Sequence, residues 1–150
     1  MKYRIYANYI ASPDFSIVEF TSMGIKGAVK KRIAFMPTDR KEVYNLAFGD
    51  VDVNNDIDDF NVTDNGDRNT VLATVANVVD EYTRRYPSRW IYFCGSTPER
   101  TRLYRMAVGL NLPELSAKFD IYAEMPKDGE FIPFKKNMTV RAFLIKRKII

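Results

Sequence analysis

Residues 89–110 read RWIYFCGSTPERTRLYRMAVGL, and the fold turns on how this stretch is parsed. Trp90, Ile91, Tyr92, Phe93 and Cys94 form an apolar run of strand length, rich in side chains that suit a pleated surface. Gly95 ends it. Ser96-Thr97-Pro98-Glu99 then has the spacing of a capping box, with Ser96 accepting from the Glu99 N–H while Glu99 reaches back. Pro98 falls where a missing N–H costs little. Leu103, Met106, Ala107 and Leu110 follow at helical spacing and predict the buried face. A strand, a tight polar turn and a capped helix result, and a helix start of this kind favours anions.

Working outward, residues 68–86 repeat the helical signal. Val71, Leu72, Val75, Val78, Val79 and Tyr82 share one face; Asp67 stands at the cap position, Arg84 and Arg85 in the last turn, and Pro87 stops the run. Before it, residues 16–22 and 28–36 read as strands joined through Gly24 and Gly27, a hairpin. Residues 43–49 form a third strand, with Tyr44, Leu46 and Phe48 on one side by period two. Residues 1–14 are ambiguous. After the second helix, ending near Asn111-Leu112-Pro113, strands are predicted over 119–125, 131–134 and 139–146, with a turn at 126–129. The order βββ-α-β-α-ββ(β) predicts one α+β domain over residues 1–150, a single mixed, largely antiparallel sheet carrying two main helices.

Composition excludes much chemistry. The chain has 150 residues, no histidine and one cysteine. Histidine-based triads and general bases, common zinc centres and intramolecular disulfides are therefore ruled out. Cys94, inside its apolar run, is expected to be a packed core thiol. No apolar stretch is long enough to span a bilayer, and residues 1–10 lack the features of a signal peptide, so no membrane partner and a cytoplasmic location are expected. The net charge of +4 hides segregation. Seven aspartates and no base lie between residues 50 and 67, whereas 68–112 holds seven arginines against three acids. A basic body of this kind permits anionic ligands or nucleic acid as partners.

The segment DVDVNNDIDDFNVTDNGD (50–67) invites comparison with a calcium loop, but Asn55 stands where the turn glycine belongs and Asn61 where the bidentate glutamate belongs. An exposed, solvated loop is expected and no metal site. Asp64 and Asp67 are candidates for capping the first helix, with Asp58 and Asp59 the nearest acids for any metal.

Three blocks carry a resemblance. Asn65-Gly66-Asp67-Arg68 running into VLATVANVV, the GSTPERTRLYR turn and helix, and the closing FLIKRK together resemble a bacterial family of unknown function, over most of residues 43–148. The element order from Ser16 onward also looks like the later part of the acyl-CoA N-acetyltransferase superfamily. In that superfamily a loop of pattern [RQ]-x-x-G-x-[GA] opens the first of these helices and its N–H groups bind the cofactor pyrophosphate. The corresponding run here is 63–68, in which Gly66 matches while Thr63 and Arg68 differ. Leu103-Tyr104 with Gly109 resembles the family's A-x-x-L-Y-x-x-x-G-F motif, whose tyrosine serves as general acid. The resemblance thus implies acetyl-CoA as cofactor, Asn65, Gly66 and Arg68 beside it, and Tyr104 as the catalytic residue. The residues themselves carry a simpler reading: a non-catalytic domain without cofactor, holding an anion at Ser96, Thr97, Arg100 and Arg102. On a helical wheel Arg100 and Tyr104 share one flank, and Arg102 and Arg105 the other. Lys135, Lys136 and the tail Lys146-Arg147-Lys148 are further candidates for phosphate contact, or a solvated basic tail.

Overall fold

The computed structural model describes residues 3–58 and 64–149. Its elements are β1 (Ile10–Ala11), β2 (Ile17–Gly24), β3 (Gly27–Pro37), β4 (Val43–Val51), β5 (Ile57–Asp58), α1 (Arg68–Arg85), β6 (Trp90–Phe93), α2 (Pro98–Leu110), α3 (Leu112–Lys118), β7 (Phe119–Glu124), β8 (Phe131–Pro133) and β9 (Ala142–Arg147). The strands form one mixed, mostly antiparallel sheet in the order β1-β2-β3-β4-β6-β9-β7-β8, with β5 also paired to β4. The fold is α+β. The chain divides into two compact units, Met1–Met36 with Leu46–Tyr82 and Pro37–Asn45 with Thr83–Ile150.

In the first unit β2 and β3 pair from Ile17↔Ala34 to Gly24↔Gly27, leaving a two-residue turn, Ile25-Lys26. Gly27 takes the positive φ (86°) that such a tight turn demands. Alternation along the hairpin puts Val18, Phe20, Ile33 and Phe35 on one face, all buried. Helix α1 supplies Val71, Val78, Val79 and Tyr82 to the core as its period predicts, and the Tyr82 ring stacks on Phe35 at 3.8 Å. Tyr6 stacks on Phe20, and Phe20 on Phe48, so the opening residues have a role that their weak pattern did not announce.

The acidic loop departs from expectation at both ends. Asp50 lies in β4 and is buried, because Lys31, itself buried, reaches it at 2.6 Å. Residues 57–58 turn back as β5 and pair with the end of β4, and Asn65 is only 1% exposed. Between them residues 53–56 are exposed, and the half-buried Asp52 carboxylate accepts from the N–H groups of Asn54 and Asp56. Asp59, Asn61 and Thr63 lie outside the described residues.

In the second unit the start of β4 pairs in parallel with β6 over Val43↔Trp90, Tyr44↔Ile91 and Asn45↔Tyr92. Strand β6 pairs antiparallel with β9, β9 with β7, and β7 with β8. One sheet face and the helices build an apolar cluster of Ala123, Phe134, Val140 and Phe143, against which Phe93, Tyr104, Val108, Leu112 and Ile121 pack. Two expectations are corrected here. The inward side of α2 is the Thr101, Tyr104, Val108 side, whereas Met106 is 49% and Leu110 75% exposed. Thr101 sits against Gly95, and once that contact fixes the first turn, positions three and seven further on must face inward. Helix α2 ends at Leu110 with Asn111 as its cap, as expected, and an additional helix, α3, follows at once with Pro113 in its first turn, where its lack of an N–H is harmless. Cys94 is exposed rather than packed, because the last β6 pair is Phe93↔Phe143 and the chain leaves the sheet beyond it. Partial desolvation of its thiol, and the nearby Glu124 carboxylate, still push its ionisation upward.

Candidate functional site

The turn from β6 into α2 is built by a close approach. A Cβ at Gly95 would stand 2.4 Å from the Cβ of Arg100 and 2.5 Å from the backbone nitrogen of Thr101, so only glycine lets the helix start press against the strand end. Gly95 donates its N–H to Thr101 Oγ1 at 3.0 Å. The cap is one residue later than the spacing predicts. Thr97, with extended φ and ψ, accepts from the Arg100 N–H at 3.3 Å, and Pro98 follows in the first turn. Ser96 is not the cap; its hydroxyl oxygen instead accepts from Nη1 of Arg100. Proline explains the shift: with Thr97 as cap, Pro98 takes the first helical position, which it is preorganised to fill.

Ser96, Thr97 and Arg100 are therefore brought together. Arg102 is exposed in the next positions of the same helix, and Arg105 is half-buried. Tyr104 has its ring edge-on to Phe93 at 6.3 Å, within the apolar cluster. Pro98 has no N–H and the N–H groups of Arg100 and Thr101 are taken by Thr97, so what the helix start offers is its dipole and the Arg100 guanidinium, a planar fork of donors.

Asn65, Gly66 and Arg68 lie in the first unit and form a different kind of structure. Asn65 Nδ2 donates to Gly27 O (2.9 Å) and Ser22 Oγ (3.1 Å). Its Oδ1 accepts from Lys26 N–H (2.6 Å), and its backbone carbonyl accepts from Ile25 N–H (3.1 Å). The amide thus locks the β2–β3 turn to the start of α1. Gly66 holds a φ of 78°, and its N–H goes to Asp64 Oδ1. Arg68 meets Asp64 at 3.7 Å in an exposed pair of small energetic weight. Asp67 precedes α1 as expected, and its Oδ2 accepts from the hydroxyls of Tyr6 and Ser22. Burial, then the bond to Asp67, raises the Tyr6 ionisation.

The tail is likewise committed in part. Arg147 donates to Thr83 Oγ1 and Lys148 to the Ser116 carbonyl, while Lys146 lies over the Trp90 ring at 5.5 Å. Two polar pairs were not anticipated: Lys31 with Asp50, and Tyr92, whose hydroxyl donates to Glu124 Oε1 at 2.7 Å. Period two along β3 and β6 was the signal for both. Among the described residues no three acidic or thiol groups gather as a metal site, and no helix is long and apolar enough to cross a membrane.

The chain belongs to a family described as "Family of unknown function (DUF6934)", whose model matches residues 2–148. No curated protein and no solved structure matches it.

Proposed function

We propose that this chain is a non-catalytic, cytoplasmic binding domain that holds a phosphate-like anion at the β6–α2 turn. The observation that carries this reading is the Gly95 approach, which sets Ser96, Thr97 and Arg100 around one helix start. There the helix dipole attracts the anion, Arg100 exchanges its bond to Ser96 for a forked bond to the ligand, and exposed Arg102 adds charge. The test is calorimetric titration with inorganic pyrophosphate at low and moderate salt. The variant Arg100→Ala/Arg102→Ala is expected to bind at least about tenfold more weakly, since each charge-assisted hydrogen bond contributes about 1.5–3 kcal/mol. A titration identical to that of the parent chain removes the proposal.

A second reading, a degenerate acyl-CoA-dependent N-acyltransferase, is favoured by one observation. Helix α1 connects two parallel neighbours, β4 and β6, whose pairing is confined to three residue pairs, in the element order of that superfamily. In this reading the 65–68 turn meets the cofactor. Heat on mixing with acetyl-CoA and a rise in melting temperature at millimolar ligand are the expected results. Neither signal appearing would dispose of it.

A further inference from the structure

Helix α2 carries apolar side chains on two sides. Tyr104 and Val108 point inward, into the cluster around Phe143. Leu103, Met106 and Leu110 recur at the spacing of a second stripe on the outer side. Leu103 is half-buried and the crest beyond it is open, with Met106 49% and Leu110 75% exposed. Arg102, Arg105 and Gly109 follow the same spacing one residue behind, so they line one flank of the stripe for its whole length. The stem of Lys136 lies against Gly109, its Cγ 3.7 Å from where a Cβ would stand, and Lys135 is exposed next to it. None of Arg102, Arg105, Lys135 and Lys136 makes an ion pair among the described residues.

Charge and apolarity together say what suits this side. The acids of α2 and α3 are Glu99 and Glu114, each in a first turn, so these four bases outweigh them and the surroundings of the stripe are positive. A free anion or a nucleic acid would use the bases and gain nothing from Met106 and Leu110. An apolar protein surface would bury the stripe and leave the bases unmatched. An anionic phospholipid surface matches both, with hydrocarbon under the apolar crest and phosphates at the level to which long basic side chains extend. Glu99 ends the stripe one turn before Leu103, which sets the helix start at headgroup level and the Leu110 end deeper. Such peripheral contact needs no spanning helix, and among the described residues no helix is long and apolar enough to cross a membrane.

We propose that the outer side of α2 rests on an anionic phospholipid surface, with Met106 and Leu110 in the acyl boundary and Arg102, Arg105, Lys135 and Lys136 on lipid phosphates. Of these residues only Arg102 is shared with the β6–α2 turn, so this surface does not depend on the turn binding an anion. The test is co-sedimentation of the full chain with vesicles of equal parts phosphatidylglycerol and phosphatidylcholine. The chain is expected to pellet with them at low salt, to stay in solution with pure phosphatidylcholine, and to be released as salt rises. Met106→Gln/Leu110→Gln changes two exposed positions to a good helix former. It should bind the vesicles at least about tenfold more weakly, while its pyrophosphate titration matches that of the parent. Lys135→Gln/Lys136→Gln should weaken vesicle binding at least about tenfold. No pelleting with the anionic vesicles, equal pelleting with the neutral ones, or parental vesicle binding by Met106→Gln/Leu110→Gln each overturns the inference. Pelleting without any heat from pyrophosphate supports this surface and removes only the turn site. A dimer by analytical ultracentrifugation that Met106→Gln/Leu110→Gln dissociates, with no pelleting, assigns the stripe to a second copy instead.

Discussion

Gly24→Ala is expected to destabilise the chain by about 4 kcal/mol, a large part of the 5–15 kcal/mol available to an ordinary domain. A Cβ at this position would lie 1.9 Å from the carbonyl oxygen of Asn65 and 2.8 Å from its Cγ. The first of these is backbone and cannot rotate away. Relief requires the turn to separate from the residues before α1, and the bonds from Asn65 to Lys26, Gly27 and Ser22 are broken by the same movement. Overpacking costs about 1–3 kcal/mol and each buried polar group left without its partner a comparable amount. For a chain of this length the melting temperature should fall by about 8–16 °C. Gly27→Ala makes the informative contrast. Its φ is positive, unlike that of Gly24, but nothing lies within 4 Å of the added carbon, so only the backbone strain of about 1 kcal/mol should be felt. Urea denaturation of both variants decides the matter. Equal losses at the two glycines would mean that the close approach to Asn65 carries no weight.

That latch explains why some features were legible in the sequence and others were not. Helix α1 was readable because its apolar side chains repeat over several turns, although Ala73 and Asp80, on the side away from that face, are buried as well. The β2–β3 hairpin was readable because glycines flank its turn. Asn65 was not, since an asparagine before a glycine reads as a turn residue, and only the folded chain shows its amide buried against a hairpin some forty positions earlier. Helix α2 shows a related failure. Its apolar residues offered two faces, and the choice fell to Thr101, a polar residue pinned under Gly95. The turn site was half legible: Ser96, Thr97 and Arg100 do meet, but proline moved the cap to Thr97. Trp90 and Tyr122, whose rings stand 5.9 Å apart, were visible only as scattered aromatics, because β6, β9 and β7 had to be set in register before they became neighbours.

Lys31 and Asp50 support the second large prediction. Lysine is among the residues least often buried, yet alternation along β3 forces Lys31 to the same side as Ile33 and Phe35. Its ammonium meets Asp50 Oδ1 at 2.6 Å, with side chains 2% and 11% exposed. Desolvating two charges is costly, and their attraction only roughly offsets that cost. The pair therefore contributes little net stability, while either member alone is a heavy burden. Lys31→Met is expected to lose about 3–5 kcal/mol by stranding the carboxylate, and Asp50→Leu a similar amount by stranding the ammonium. The double variant Lys31→Met/Asp50→Leu removes both charges and fills the space with apolar atoms. It should recover most of the loss and fall within about 1–2 kcal/mol of the parent chain, giving a coupling energy of several kcal/mol in the double-mutant cycle. Additive losses in urea denaturation would show that each side chain is held by its other contacts rather than by its partner. A recovered double variant would place the origin of this buried pair in the alternation of β3, which carries Lys31 inward with Ile33 and Phe35 and so requires a carboxylate from the neighbouring β4 beside it.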